Sequence, residues 1–182
     1  MKIHNIVPMN TSAELVIRFA DLDDIPTIGY LAQQIWPVAY GAILSKEQLA
    51  YMLDMSYSPD SLTDQITKQH HHFLIAELDE DAVGFASFSV TEDEGVHKLH
   101  KIYVLPQTQG TGVGRALLSF VTEQILEEGA TTLRLNVNRH NKARDFYEKQ
   151  GFQVTKEVDI EIGNGYQMND YIMEKPLQKA ED

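Results

Sequence analysis

The chain has 182 residues, 43% of them apolar, which suits one domain with a buried core and excludes a disordered chain. Its formal charge of −12 disfavours nucleic acid and anionic membrane as partners, and mildly favours a cationic small molecule. Cysteine is absent, which excludes disulfides, a thiol nucleophile and a Cys-bound metal. Met1–Ser12 lacks the continuous apolar stretch of a secretory leader, and no run reaches membrane-spanning length. The expectation is a cytoplasmic protein with neither a membrane nor a nucleic acid as partner.

In chain order, Val16 to Phe19 alternates into a short strand. Asp21-Leu22-Asp23-Asp24 supplies a cap and first-turn acids for a helix whose apolar positions Ile25, Ile28, Leu31, Ala32 and Ile35 keep helical spacing. Pro37 is expected to end or bend it. Tyr40 to Tyr51 predicts a second helical piece, and Ser61 to Lys68 a third. Phe73 to Leu78 and Ala82 to Val90 predict a hairpin about Asp79-Glu80-Asp81, and Val96 to Leu105 the next strand. A helix over Val113 to Leu126, a strand over Thr131 to Val137 and a helix over Lys142 to Lys149 follow. Two last strands, Gln153 to Ile162 and Gln167 to Glu174, turn at Gly163-Asn164-Gly165. No repeat or composition break marks a linker, so residues 1–182 are read as one domain. The order predicts an α+β fold around a single mixed, mostly antiparallel sheet, with one parallel pair made by the strand–helix–strand crossover.

Gln109-Gly110-Thr111-Gly112-Val113-Gly114-Arg115 carries the chemistry. It lies between the strand ending at Pro106 and the first turn of the helix from Val113. Backbone N–H groups there have no partner inside the helix, and the helix dipole favours an anion. Glycines let the backbone approach a phosphate or pyrophosphate closely. The spacing is not that of a dinucleotide fold, whose third glycine would fall on Arg115. Nor is it a P-loop, because no Lys-Ser or Lys-Thr follows.

The remaining pattern, Gln109, Gly112 and Gly114 with Arg115 next, resembles the acyl-CoA loop of the GCN5-related N-acetyltransferases, the GNAT superfamily. Asn141, Ala143, Phe146-Tyr147-Glu148-Lys149 and Gly151-Phe152 resemble that family's second signature, in the expected order and separation. Asn141 is also a good N-cap, and Gly151 sits where a helix stops. The resemblance runs from about Val16 to Leu177. It implies a fold whose parallel strands splay around acetyl-CoA, the co-substrate, with no metal. Ile102, Tyr103 and Val104 would lie along the pantetheine arm, Gln109 to Arg115 would cradle the diphosphate, and Asn138 and Asn141 would touch the cofactor.

The implied reaction moves an acetyl group from acetyl-CoA to a primary amine by direct attack, with no covalent enzyme intermediate. Tyr147 is the implied proton donor to the leaving thiolate. Its phenol stays protonated at neutral pH, although on the residues alone it reads as an ordinary helix aromatic. His100 is the candidate base, because period two puts it on the strand face of Ile102 and imidazole titrates near neutral pH. Relatives that acetylate polyamines often carry Glu at that place; His97 and a water are the competing bases. Trp36, Tyr40 and Tyr51 fall in early helices that cover the acceptor side in the family, and are candidates for the acceptor pocket as well as for the core. The ends of the pattern most resemble bacterial spermidine/spermine-type enzymes. A polyamine or other small amine is therefore the first acceptor, and a protein N-terminus or lysine the second. A non-catalytic CoA-binding sensor is the rival outside enzymes, and a nucleotide-dependent oxidoreductase a distant third. His70-His71-His72 is not read as a metal site, since adjacent strand residues face opposite ways. A homodimer through the last strand is allowed by the resemblance.

Overall fold

The computed structural model describes residues 4–8 and 13–178. Met1–Ser12, read above for a leader, falls outside the described residues except for His4–Pro8. Eight strands and five α-helices follow in the order β1 (His4–Pro8), β2 (Glu14–Phe19), α1 (Ile25–Tyr40), α2 (Lys46–Tyr57), α3 (Pro59–Thr67), β3 (His72–Leu78), β4 (Asp81–Val90), β5 (Val96–Val104), α4 (Val113–Glu127), β6 (Thr132–Asn138), α5 (Ala143–Lys149), β7 (Gln153–Gly163) and β8 (Tyr166–Pro176). Hydrogen bonding orders the strands β1-β2-β3-β4-β5-β6-β8-β7 in one mixed sheet. The expected α+β plan is the one observed. Two compact units are distinguished within it: Met1–Ser89 with Lys101–Val121, and Val90–His100 with Thr122–Asp182.

In the first unit, β2 pairs antiparallel with β1 and with β3, and β3 with β4. Strand β1 was not anticipated. Asp79 and Glu80 make the β3–β4 turn with φ of 49° and 71°, the left-handed pair that suits a tight hairpin. Ile17, Ile28, Leu31, Phe73, Ile75, Phe85 and Leu117 are buried, each worth roughly 1.5–3 kcal/mol of hydrophobic stabilisation. Arg18 ties β2 to the start of α1: its guanidinium holds Asp24 at 2.9 and 2.8 Å and Glu77 at 2.7 Å. Asp24 also accepts the Asp21 N–H, closing a capping box.

One helix boundary differs from the sequence expectation, and of the two outcomes expected at Pro37, an end or a bend, the end does not occur. Helix α1 continues through Pro37 to Tyr40, with the Gly41 N–H bonded to the Pro37 carbonyl. Proline removes one internal hydrogen bond, but burial of Trp36 and Tyr40 on either side of it outweighs the loss. Helix α2 begins at Lys46 rather than Tyr40, because Ser45 caps it: its Oγ accepts the Gln48 N–H at 3.1 Å. Ser58 caps α3 in the same way, with Pro59 at the first helical position.

In the second unit, β5 and β6 run parallel from Val96↔Thr132 to Leu99↔Leu135. Strand β6 pairs antiparallel with β8, and β8 with β7. Leu133, Leu135, Val137 and Met173 alternate into the core with Ile125 and Phe152, also buried. The intervening positions Arg134, Asn136 and Asn138 share the opposite face of β6.

Candidate active site

The residues expected at a site divide between the two units. The first holds the glycine loop and the strand before it. After β5 the chain makes a 3-10 turn, Pro106–Thr108, and then opens into α4. The Ala116 N–H reaches the Gly112 carbonyl, the first bond of the helix. The N–H groups of Gly110 to Arg115 bond to no backbone carbonyl among the described residues. Gly110 and Gly112 have φ of 79° and 92°, so their backbone is left-handed and favours glycine on that ground alone. A Cβ at either would meet nothing within 4 Å. Gly114 has no such φ, and a Cβ there would make only ordinary contact with Val104 Cγ2 at 3.7 Å. The protein itself does not need glycine at 114. Gln109 Nε2 points back to the Val104 carbonyl at 3.4 Å, Val113 is buried, and Thr111 and Arg115 are exposed. A row of N–H donors at a helix start favours an anion.

Trp36, Tyr40 and Tyr103 lie in the same unit, in one aromatic cluster with Tyr57 and Phe85. The Trp36 and Tyr40 ring centroids lie 4.5 Å apart with planes tilted 45°, and Trp36 Nε1 donates to the Tyr57 hydroxyl at 3.2 Å. The Tyr40 and Tyr103 hydroxyls meet at 2.9 Å. Burial pushes the Tyr57 phenol well above its ordinary pKa, so it stays protonated. An open groove of about 530 Å³ runs beside this cluster, lined by Gln33, Pro37, Leu53, Asp54 and Tyr57. Tyr57, rather than Trp36 or Tyr40, is the aromatic that lines it. Lys101 lies 5.6 Å from the centroids of both Tyr57 and Phe73, and donates to Gln65 Oε1 at 2.7 Å.

The second unit holds His100, Asn138, Asn141 and Tyr147. Tyr147 on α5 is buried, 8% exposed, with ring contacts to Phe146 at 5.4 Å and Phe152 at 5.7 Å. The helix stops at Gly151, φ 96°, and the Phe152 N–H returns to the Tyr147 carbonyl. Asn141 is not the N-cap of α5, a position Lys142 takes without a side-chain cap; its Oδ1 accepts the Ala143 N–H at 2.9 Å from the turn just before the helix. Asn138 Oδ1 accepts the His140 N–H at 2.9 Å. Both asparagines therefore spend their oxygens on the local turn and keep their amide N–H groups as donors. His100 is half-buried on β5. His97, the competing base, is buried with Nε2 bonded to Glu128 Oε2 at 2.8 Å.

Sequence reasoning missed a polar cluster in this unit. Asp170 on β8 is 1% exposed and is the direct cross-strand partner of Asn138. Its Oδ2 receives one long bond from Asn136 Nδ2, 3.5 Å, and its Oδ1 has no partner. Burial raises its carboxyl above the ordinary range, opposed by the Asn136 bond and the charges of Lys98 and Arg139. Burial also lowers the Lys98 ammonium, with Asp170 opposing and Arg134 assisting. The one available signal was an Asp inside an apolar strand, Tyr171-Ile172-Met173 following it, where Asp is depleted. Among the described residues no group of three or more His, Asp or Glu could hold a metal, and no helix is long and apolar enough to cross a membrane.

Residues 42–175 match the family model described as an acetyltransferase (GNAT) domain. The spermidine N(1)-acetyltransferase of Thermoplasma acidophilum is 27% identical over 167 residues, covering 89% of this chain and 97% of that protein. The [ribosomal protein bS18]-alanine N-acetyltransferase of Haemophilus influenzae is 32% identical over 130 residues, 71% of this chain and 84% of that protein. Among solved structures, the PaiA N-acetyltransferase of Thermoplasma acidophilum in complex with coenzyme A superposes with a TM-score of 0.76. It is 27% identical and covers 92% of this chain and 100% of its own.

Proposed function

Since the chain belongs to the GNAT acetyltransferase family, we propose that it moves an acetyl group from acetyl-CoA to a primary amine, first a polyamine or another small amine. The observation that carries this reading is the row of open N–H donors from Gly110 to Arg115 at the start of α4. It supplies the anion site that a coenzyme diphosphate needs. The backbone of Ile102, Tyr103 and Val104 bonds the amides of the pantetheine arm, and the Asn138 and Asn141 amides add donors. Acetyl-CoA, when bound, supplies the thioester that the amine attacks.

The residues of this chain manage two protons. A primary amine of pKa roughly 10.4 is mostly charged at neutral pH, so it must lose a proton before it can attack. His100 takes the proton that leaves the nitrogen as the N–C bond forms. Tyr147 donates to the sulfur as the C–S bond breaks, which keeps a thiolate of pKa about 8.5 from accumulating. The 27% identity to a spermidine acetyltransferase over most of both chains supports a small cationic acceptor, as does the −12 formal charge. The 32% identity to a bS18-alanine acetyltransferase favours a protein N-terminus as the second reading.

The test is thiol release from acetyl-CoA against a panel of polyamines, other small primary amines and peptides with a free N-terminal alanine. Release that depends on a small amine supports the first reading, and release only with peptides supports the second. Binding of acetyl-CoA with no amine-dependent release from any acceptor overturns both and leaves a cofactor-binding module.

A further inference from the structure

Between α1 and α2 lies a groove that none of the chemistry above uses. Gln33 and Pro37 are one turn apart on α1, and Leu49, Leu53, Asp54 and Tyr57 keep helical spacing on α2. The two stripes border about 530 Å³, room for a small molecule. Leu53 and Tyr57 are buried, and Pro37 and Leu49 add to an apolar lining. Helix α1 carries no charged side chain from Ile25 to Tyr40. Among the described residues no lysine, arginine or histidine lines the groove, and its one charge is the carboxylate of Asp54.

Asp54 does nothing for the helix that carries it. It stands in the last turn of α2, where a negative charge opposes the helix dipole and no basic side chain offsets it. Its backbone carbonyl accepts the Ser58 N–H, a bond that any residue at this position would make. The start of α3 is already served, by Ser58 Oγ on the Ser61 N–H at 3.2 Å and by Asp60 in the first turn. The Asp54 carboxylate has no bond or ion pair among the described residues. A free acid on an apolar groove suits a cation with a hydrocarbon stem. The Tyr57 ring is not the seat of that cation, because Lys101 already lies 5.6 Å from its centroid, held by Gln65 Oε1 at 2.7 Å. Tyr57 also joins the groove to β5. Its ring lies 5.8 Å from Phe85 and 5.5 Å from Trp36, and these lie 5.7 and 5.8 Å from Tyr103.

We propose that this groove holds the unreacted ammonium of a di- or polyamine acceptor, and that Asp54 is the specificity-determining residue for it. This rests on the acetyl-transfer reading above, in which Tyr103 lies along the pantetheine arm. One aromatic layer then separates the groove from that arm. The far ammonium donates to the Asp54 carboxylate, with Gln33 Oε1 as a second acceptor, and the methylenes next to it cover Pro37, Leu49 and Leu53. The formal charge of −12 draws such a cation from solution, and Asp54 fixes where it stops. A monoamine reacts by the same chemistry and leaves Asp54 unused. Selection therefore falls on a second positive charge at a distance from the reacting nitrogen.

The experiment uses the full chain, acetyl-CoA, and spermidine against 1-aminobutane as acceptors. Asp54→Asn is expected to raise KM for spermidine about 3- to 10-fold with kcat within about twofold, and to leave KM for 1-aminobutane within about twofold. Asp54→Glu restores the charge and holds the spermidine KM within about threefold of wild type. Glu47→Gln removes an exposed acid from the other end of α2 and leaves the spermidine KM unchanged, which separates a local contact from net charge. Asp54→Asn also melts no lower than wild type, because the lost charge opposed the dipole of α2; a merely structural role predicts the reverse. Calorimetry of spermidine on the CoA-saturated protein reads the same site without turnover, and carries the comparison if 1-aminobutane is not acetylated. Equal changes for spermidine and 1-aminobutane, or a spermidine affinity unchanged in Asp54→Asn, overturn this inference and leave acetyl transfer standing. A wild-type protein that acetylates peptides or monoamines alone does the same. A wild-type protein that binds acetyl-CoA and acetylates no amine overturns the acetyl-transfer reading and this inference with it.

Discussion

Gly114→Ala separates what the fold needs from what a cofactor needs. Gly114 lies inside the first turn of α4 with φ outside the left-handed region, and its new methyl would meet only Val104 Cγ2 at 3.7 Å. The free protein should therefore gain stability, since alanine is better than glycine in a helix by roughly 0.5–1 kcal/mol. Unfolding entropy is roughly 2.1 cal/mol/K per residue. For 182 residues that is about 0.4 kcal/mol/K, so Tm rises by about 1–3 °C. On the proposed placing of the diphosphate at this turn, the methyl would crowd its approach to the N–H row. A tenfold loss of acetyl-CoA affinity, about 1.4 kcal/mol, then removes about 3–4 °C from the ligand-induced shift at saturating concentration. The assay is thermal melting with and without acetyl-CoA, with titration calorimetry for Kd. A variant that binds acetyl-CoA within twofold of wild type would refute the placing of the diphosphate at this turn.

Gly112→Ala acts differently: forcing alanine to φ 92° costs roughly 1–2 kcal/mol, so the free protein should melt about 3–5 °C lower even without ligand. Tyr147→Phe keeps the ring contacts with Phe146 and Phe152 and removes the hydroxyl. Turnover should fall at least about tenfold with acetyl-CoA affinity unchanged, and undiminished kcat would remove Tyr147 as the donor. Arg18→Met strips the charged bonds to Asp24 and Glu77 and should cost about 2–3 kcal/mol in chemical denaturation. Asp170→Asn has a pH signature in stability. A carboxyl whose folded pKa is raised stabilises most at low pH, and that contribution is lost as pH rises through the folded value. The Tm of the variant relative to wild type should therefore increase from about pH 3.5 to pH 7, and a decrease would contradict the burial argument.

Much of the fold was readable because the signals were local. Asp21 with Asp24 and Gly151 mark helix ends through bonds within a few residues, Asn141 marks the turn one residue before the α5 cap, and Asp79-Glu80 marks a hairpin by its turn alone. The start of α2 is equally local, a Ser45-Lys46-Glu47-Gln48 cap five residues after Tyr40. Pro37 does not end α1 because its local cost is opposed by burial of Trp36 and Tyr40 with Tyr57 and Tyr103, partners from α2 and β5.

The chain alone determined that glycines at 110, 112 and 114 would open a helix after a strand, because turn chemistry and helix start are properties of adjacent residues. Only the tertiary structure decided which distant side chains share a face. Cross-strand register sets Asp170 against Asn138 and Lys98 beside Arg134, and burial strips water from the Asp170 carboxylate. Pairing between strands depends on contacts across dozens of residues, and solvent exclusion depends on all the layers at once. Neither is written in any short window of sequence.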